Sequence, residues 1–364
     1  MTARVTATFD RPTGNPWRHA AGLLGERWLS VMLERPPGTP MYFTARTADG
    51  RAVGTLGYWI EDPDAYAAFN WYDLVWNSDK VFLGFPTAGP GPARASAFPT
   101  LSLVQPGYDC NADGDQDLLP KLVEGIVEWS RERGAATVSA LYAHGPLASA
   151  LVDRGFRGYR SAERALLTDP SGWPDNLTRN GRKQVAADLR LLAAAGVRVG
   201  PEPVEELAPQ ILPLRRALVA RHGGYVTPDA DRRTLDRLLA AFGPTNLRAF
   251  AARSADGTLV GFSLFTVDEL AGWSSFWVGT GASADRAHFA CLFYAPVLAA
   301  RSASVSTLDF GLGLDPAKSR RGCVGFPRTV YVLPIAENDL LTPSNHPLSV
   351  QPCDSCEHAS SEPN

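Results

Sequence analysis

The chain has 364 residues, of which 45% are hydrophobic and 20% charged, and its net charge is −3. That length exceeds what one compact core usually holds and predicts two domains, while the mild negative charge excludes a protein that coats nucleic acid. No apolar run approaches the roughly 18 residues of a membrane helix, and residues 1–17 lack the apolar segment of a secretory signal, so a cytoplasmic location is expected.

The first helix-spaced run is "WRHAAGLLGERWLSVML" at 17–33. After a Pro/Gly break, "MYFTARTADGRAVGTLGYWI" reads as two strands joined at Asp49-Gly50, a strong hairpin signal. The aromatic run "FNWYDLVWN" at 69–77 reads as a packed strand. A Pro/Gly/Ala loop at 85–99 leads to the strand "TLSLVQPGY". An amphipathic helix at 116–134 stops at Gly134. The strand "AATVSALY", the helix "GPLASALVDRGF" and the strand "GYRSAERALL" complete the first half before Pro170.

The second half opens with a helix capped at Asp175 and ending at Gly196, then a short strand at 197–203. Two helices cover 207–224 and 229–243. A hairpin turning at Asp256-Gly257, the strand "GWSSFWVGT" and the helix "FACLFYAPVLAARSA" follow. The strand "STLDFG", a polar turn carrying Lys318, Arg320 and Arg321, and a last strand at 328–333 end the ordered pattern. The order of elements therefore recurs. "RTADGRAVG" at 46–54 and "RSADGTLVG" at 253–261 share the Arg, the Ala-Asp-Gly and the Val-Gly, which points to an internal duplication too long for a solenoid repeat. The expected domains are 1–170 and 171–334, followed by a disordered acidic tail at 335–364.

Charge divides along the same lines. Residues 171–334 carry nineteen Lys and Arg against fourteen Asp and Glu. Residues 1–170 carry sixteen against nineteen, and the tail holds five acids and no base. A polyanion would dock on the second domain. Cys110, Cys291 and Cys323 read as reduced, packed thiols. Cys353, Cys356, His346 and His358 in the tail resemble half a zinc site, and one CxxC without a second pair predicts no metal.

A mixed α/β unit with this element order resembles the acyl-transferring fold of the GNAT N-acyltransferases. "LASALVDRGFRGYRSAERALL" is similar to that fold's closing segment. The second half resembles the double-GNAT, Fem-type family more specifically. "NLTRNGRKQVAADLRLLAAAGVRV" looks like its linking segment, and "FACLFYAPVLAARSASVSTLDFGLGLDPAKSRRG" like its ending. The resemblance spans roughly 15–334 and implies two tandem GNAT-like acyltransferase domains of the α/β class with mixed sheets. It implies transfer of an acyl or aminoacyl group to an amine. Two departures matter. Where users of coenzyme A carry a Gly-rich pyrophosphate loop, the first unit has "PGYDCNADGDQD", whose Asp109, Asp113, Asp115 and Asp117 repel phosphate. The second unit has "VGTGASADRAHFA", which bears glycine without the pattern.

Acyl transfer needs a deprotonated amine, a stabilised oxyanion and an accommodated leaving group. By the resemblance, "GWSSFWVGT" and "STLDFG" splay apart and offer unpaired N–H groups, so no catalytic triad is needed. Asp309, at the end of the second of these strands, would orient an amine or act as base; the alternative is a helix cap. Lys318 would face the reacting carbonyl or the terminal phosphate of a tRNA, and His222 would shuttle a proton. Arg320, Arg321, Arg216, Arg221, Arg182 and Lys183 form the candidate grip on the donor. Trp273, Ser275, Trp277, Tyr294 and Tyr225 form the candidate acceptor pocket. Ordinary solvated charges and core aromatics are the competing account of these groups.

The favoured expectation is aminoacyl transfer from aminoacyl-tRNA to the amine of a small molecule, with natural-product relatives in view and no other cofactor, membrane or DNA partner. The absence of a coiled-coil arm and the acidic first-unit loop speak against a peptidoglycan acceptor. An acyl-coenzyme-A-dependent enzyme and a non-catalytic binding protein are the alternatives.

Overall fold

A computed structural model describes residues 3–13, 27–28, 31, 38–64, 70–76, 93–103, 112–221, 226–268, 272–281 and 285–335. The tail after 335, His222, Tyr225, Cys110 and the region of the first expected helix, apart from residues 27, 28 and 31, lie outside them. The chain forms two compact units, one of 1–162 with 327–364 and one of 163–326. The boundary expected at 170/171 thus lies earlier, and the last strand counts with the first unit because its hydrogen-bond partners are there.

In the first unit the hairpin strands β2 (Thr39–Thr47) and β3 (Ala52–Ile60) turn at Gly50, whose φ of +91° suits glycine. A strand not anticipated, β1 (Ala3–Thr8), pairs antiparallel with β2. On the far side β4 (Thr100–Leu103) runs parallel to β6 (Thr137–Ala143) after short β5 (Ala112–Gly114) has paired with β3. β13 (Val324–Pro334) then adds antiparallel to β6 from Thr329 to Pro334.

Helix Leu119–Glu132 buries Leu119, Leu122, Val123, Ile126 and Val127, the i, i+3, i+4 stripe that the sequence shows, against Met41, Phe43, Leu101 and Val138. Each such side chain contributes about 1.5–3 kcal/mol by leaving water. Gly134 ends the helix at φ +71°. The aromatic run expected to be a strand is instead helix Trp71–Trp76, whose buried Asp73 takes a two-pronged bond from Arg94 at 2.8 Å on each oxygen. Trp71 turns inward from this helix and donates its Nε1–H to Thr137 Oγ1 at 3.1 Å.

The second unit repeats the plan. β7 (Arg157–Leu167), β12 (Leu308–Leu312), β11 (Gly272–Thr280), β10 (Leu259–Asp268), β9 (Leu247–Arg253) and β8 (Arg198–Glu202) lie side by side in that order. Every pair is antiparallel except β11 with β12. One face packs on helix Asp285–Phe289, a π-helical turn at Ala290–Tyr294 and helix Ala295–Ser302. The π turn has a local cause. Pro296 has no N–H for the carbonyl four residues back, and Ser263 Oγ donates to the Cys291 carbonyl at 2.6 Å.

Helix Val204–Arg221 lies across the other face, with helix Pro228–Phe242 beside it. Helix Arg179–Ala194 starts at Thr178, whose Oγ1 accepts from Gly181 N at 3.1 Å, so the cap lies three residues beyond the expected Asp175.

Candidate functional site

The two parallel strands of the second unit stay together for a short stretch. Trp273 pairs with Leu308 and Ser274 with Asp309, and there the ladder ends. β11 continues to Thr280 paired with β10 alone, while β12 turns to β7. A bulge sharpens the divergence. Leu264 faces Trp277 and Phe265 faces Ser275, leaving Phe276 as an extra residue in β11. Alternate residues of a strand aim their N–H and C=O to opposite sides, so past the fork alternate residues of β11 turn their amides away from β10, toward the side that β12 has left. The expected splay is present.

Asp309 sits at the fork, 6% exposed. Its carboxylate accepts from Gly311 N at 2.7 Å and pairs with Arg164 of β7. Gly311, at φ +77°, is the point where β12 leaves its register. Asp309 caps no helix. That role belongs to Asp315, which accepts from Lys318 N at 2.8 Å and opens the turn Pro316–Ser319. Lys318 Nζ reaches back to the end of β12 and donates to the Phe310 and Leu312 carbonyls at 2.9 and 3.1 Å. Burial holds its ammonium below the usual lysine range, opposed by Asp315, Cys323 and Asp309. An ammonium has three donors, and two are used, which leaves one for a group entering the fork.

The remaining candidates separate by exposure. Arg320, Arg182 and Lys183 are exposed. They belong together, because a Cβ on Gly181 would lie 2.6 Å from the Arg320 carbonyl, so the turn after Lys318 abuts the start of helix Arg179–Ala194. Arg182 donates to the Asp175 carbonyl at 2.9 Å and to that of Leu177. Arg221 lies at the other end of β11 and donates to the Gly281 carbonyl at 3.1 Å, with Arg216 half-buried one helical turn earlier.

Arg321, expected in the donor grip, faces inward at 4% exposure. Asp188, Tyr294 and the Ala317 carbonyl use its donors, so it is withdrawn from any solvent-facing patch. Tyr294 is likewise core. It is 1% exposed, its hydroxyl donates to Asp188 at 2.5 Å, and its ring stacks on Trp173. Trp273 packs on Phe250 in the helix-covered face rather than lining a pocket. Trp277 is buried beneath the Arg215 guanidinium at 4.1 Å, and Ser275 is half-buried on the stretch of β11 past the fork.

Three site-building residues are not told apart by a sequence reading, although Arg215 falls in the basic run with Arg216, Arg221 and His222. Arg164 is one polar letter in an alternating strand and carries no signal. Arg215, bonded to Asp231 at 2.9 Å, looks like its neighbour Arg216. Asp188 does leave a trace, because it shares the apolar stripe Val185, Asp188, Leu192 of an amphipathic helix, where an acid demands a buried partner. Among the described residues no group of His, Cys, Asp and Glu is arranged to hold a metal, and no helix is long and apolar enough to cross a membrane.

No family model matches the sequence, and no curated protein does. Solved structures match it. FemX aligns at 10% identity over 84% of this chain and 90% of its own, with a TM-score of 0.54. A conserved protein of unknown function from Bacteroides thetaiotaomicron VPI-5482 aligns at 12% identity over 84% and 88%, with a TM-score of 0.53. L-PGS from Bacillus licheniformis aligns at 12% identity over 79% and 82%, with a TM-score of 0.50. At such identities the likeness speaks to architecture, and together with the repeated unit and the forked strands it establishes that this chain has the tandem GNAT-like fold of the Fem type.

Proposed function

We propose that the protein is an N-acyltransferase that moves an aminoacyl group from aminoacyl-tRNA to the amine of a small-molecule acceptor. The observation that carries this reading is the fork between β11 and β12, with the Lys318 ammonium at its mouth. The acceptor nitrogen attacks the ester carbonyl, a C–N bond forms, and the C–O bond to the tRNA ribose breaks. The proton lost by the amine ends on the ribose oxygen. The carbonyl oxygen carries negative charge in between, and the amides of β11 and the third Lys318 donor supply hydrogen bonds to it. Asp309 is held by Arg164 and Gly311 N, which suits orienting an incoming amine better than leaving the strand end to accept its proton. Arg320, Arg182 and Lys183 offer exposed charge to the acceptor stem beside the fork.

Neither unit carries the Gly-rich loop that users of coenzyme A offer to a pyrophosphate, which supports tRNA as donor. In the first unit Asp115 is fixed by Arg51 at 3.1 Å at the start of a short helical turn. The test is a transfer assay with charged tRNA and a panel of amines, run with and without ribonuclease beside acyl-coenzyme-A reactions. Ribonuclease-sensitive amide formation is expected. Product that survives ribonuclease, or that forms with acyl-coenzyme A alone, would overturn the tRNA assignment.

A further inference from the structure

The turn that carries Lys318 is gripped from behind by charges that water does not reach. Asp188 and Arg321 are 3% and 4% exposed. One Asp188 oxygen accepts from Tyr294 Oη at 2.5 Å and from Arg321 at 3.2 Å, and the other accepts from Gln184 at 2.9 Å and faces Arg286 at 3.8 Å. Arg321 lies 3.6 Å over the Phe289 ring and also donates to Tyr294 Oη at 3.2 Å. A buried ion pair is a poor device for stability alone, since its desolvation cancels most of its attraction. What this one adds is direction.

The remaining edge of the guanidinium donates to the Ala317 carbonyl at 2.8 Å, one residue before Lys318. The backbone N–H groups of Arg321 and Cys323 both donate to the Lys318 carbonyl, at 3.0 and 3.2 Å. Lys318 is thus fixed on both sides of its Cα. Its four-carbon stem, flexible by nature, is aimed at the two carbonyls ending β12.

We propose that Asp188 and Arg321 are positioning residues that clamp the Pro316–Ser319 turn and so hold the Lys318 ammonium at the fork. Neither touches substrate. Helix Asp285–Phe289 presents Phe289, and the π turn presents Phe293 and Tyr294, to the one guanidinium, which ties helix Arg179–Ala194, the π turn and the Lys318 turn together. The catalytic consequence rests on Lys318 being the cation of the proposed transfer; the clamp itself does not.

The chain has four lysines, Lys80, Lys121, Lys183 and Lys318, so lysine-labelled protein gives a side-chain NMR spectrum that Lys318→Arg assigns. The groups facing Lys318 are Asp309, Asp315 and Cys323, and Cys323 in turn feels Arg321. Arg321→Lys loses the fork that reaches Ala317, Asp188 and Tyr294 at once; because the new lysine titrates in the same alkaline range, a change counts as positional only where Tyr294→Phe, which leaves every charge in place, moves the Lys318 midpoint in the same direction. In the folded variant the Lys318 titration midpoint should rise by at least about half a unit toward the ordinary lysine value. A folded variant whose midpoint rises by less overturns the clamp. If Arg321→Lys does not fold, Tyr294→Phe, which removes one hydroxyl, is read against the same threshold. In the transfer assay Arg321→Lys should lower kcat with donor KM unchanged, whereas Arg320→Ala should raise donor KM with kcat unchanged. A protein that transfers nothing from tRNA refutes the proposed function and leaves the titration to decide the clamp.

Discussion

Removing the exposed basic cluster should change how salt weakens RNA binding, by an amount the structure allows to be worked out. Arg182, Lys183 and Arg320 are exposed and adjoin through the close approach of Gly181 to the Arg320 carbonyl. The variant Arg182→Ala/Lys183→Ala/Arg320→Ala removes three positive charges and no buried contact. Each phosphate neutralised by a protein cation adds about 0.7 to 0.9 to the slope of log affinity against log salt. Losing three should flatten that slope by about 2 to 3. Raising salt fourfold should then cost the wild type about 20- to 40-fold more affinity than the variant over the same range. Fluorescence anisotropy with labelled, charged tRNA at 50 and 200 mM salt reads this directly. Arg182 already spends one guanidinium edge on the Asp175 and Leu177 carbonyls, so a loss nearer two phosphates is the lower bound. An unchanged slope would show that the RNA, if bound, lies elsewhere, and would remove this cluster from the donor site.

Lys318→Met should cut turnover about 10²- to 10³-fold with donor affinity kept, measured as single-turnover transfer, because it removes one oxyanion donor. The same variant tests linkage. Burial lowers the folded pKa of Lys318 below its unfolded value, so between the two the unfolded chain binds more protons and stability rises with pH until the ordinary lysine pKa near 10.4; in denaturant unfolding the stability of the wild type relative to Lys318→Met should therefore rise across that alkaline window. Gly279→Ala should destabilise by about 1–3 kcal/mol, since the new Cβ would lie 2.4 Å from the Phe262 ring and 2.7 Å from the Arg215 backbone nitrogen. Gly200→Ala, where a Cβ meets nothing within 4 Å, should be near neutral in the same melt. Burial pushes the Cys323 thiol up to about 12 and raises that of Cys291 further, so neither should react with a thiol reagent at neutral pH until the protein unfolds.

The local grammar of the chain was readable, and its long-range partnerships were not. Asp49-Gly50 and Asp256-Gly257 announce hairpins because a glycine there takes φ of +91° and +87° without strain. The apolar stripes of helices Leu119–Glu132 and Pro228–Phe242 follow the 3.6-residue period. By contrast, nothing in "TVYVLP" says that it pairs with β6, which lies some 190 residues earlier, because strand pairing is set by register and burial of distant segments. β1 gives little signal in the sequence although its exposures alternate, since the edge strand is short and carries few large apolar residues. At the site, Lys318, Arg320 and Arg321 look alike as letters. One reaches the fork, one faces solvent and one is buried, and the difference arises from Asp188 waiting on another helix.

Comparing the described residues of the two copies favours the second unit for the proposed chemistry. Matching the two sheets by register sets the row Tyr58, Ser102, Ser139, Val332 of the first against Thr266, Ser274, Asp309, Leu166 of the second. Where the second copy holds a buried acid answered by an arginine, the first holds Ser139, fully buried and neutral. All four residues of β4 pair with β6, from Thr100 with Thr137 to Leu103 with Ala140, whereas β11 and β12 part after two. A closed ladder spends its amides on the neighbouring strand, so those residues of the first copy have none to offer a carbonyl. Opening the ladder gives up strand-to-strand hydrogen bonds, and a backbone group kept from water without a replacement costs about 1–3 kcal/mol. The second copy bears that cost where an acid, an arginine and a lysine converge, and such a convergence is worth building only if something polar enters the gap.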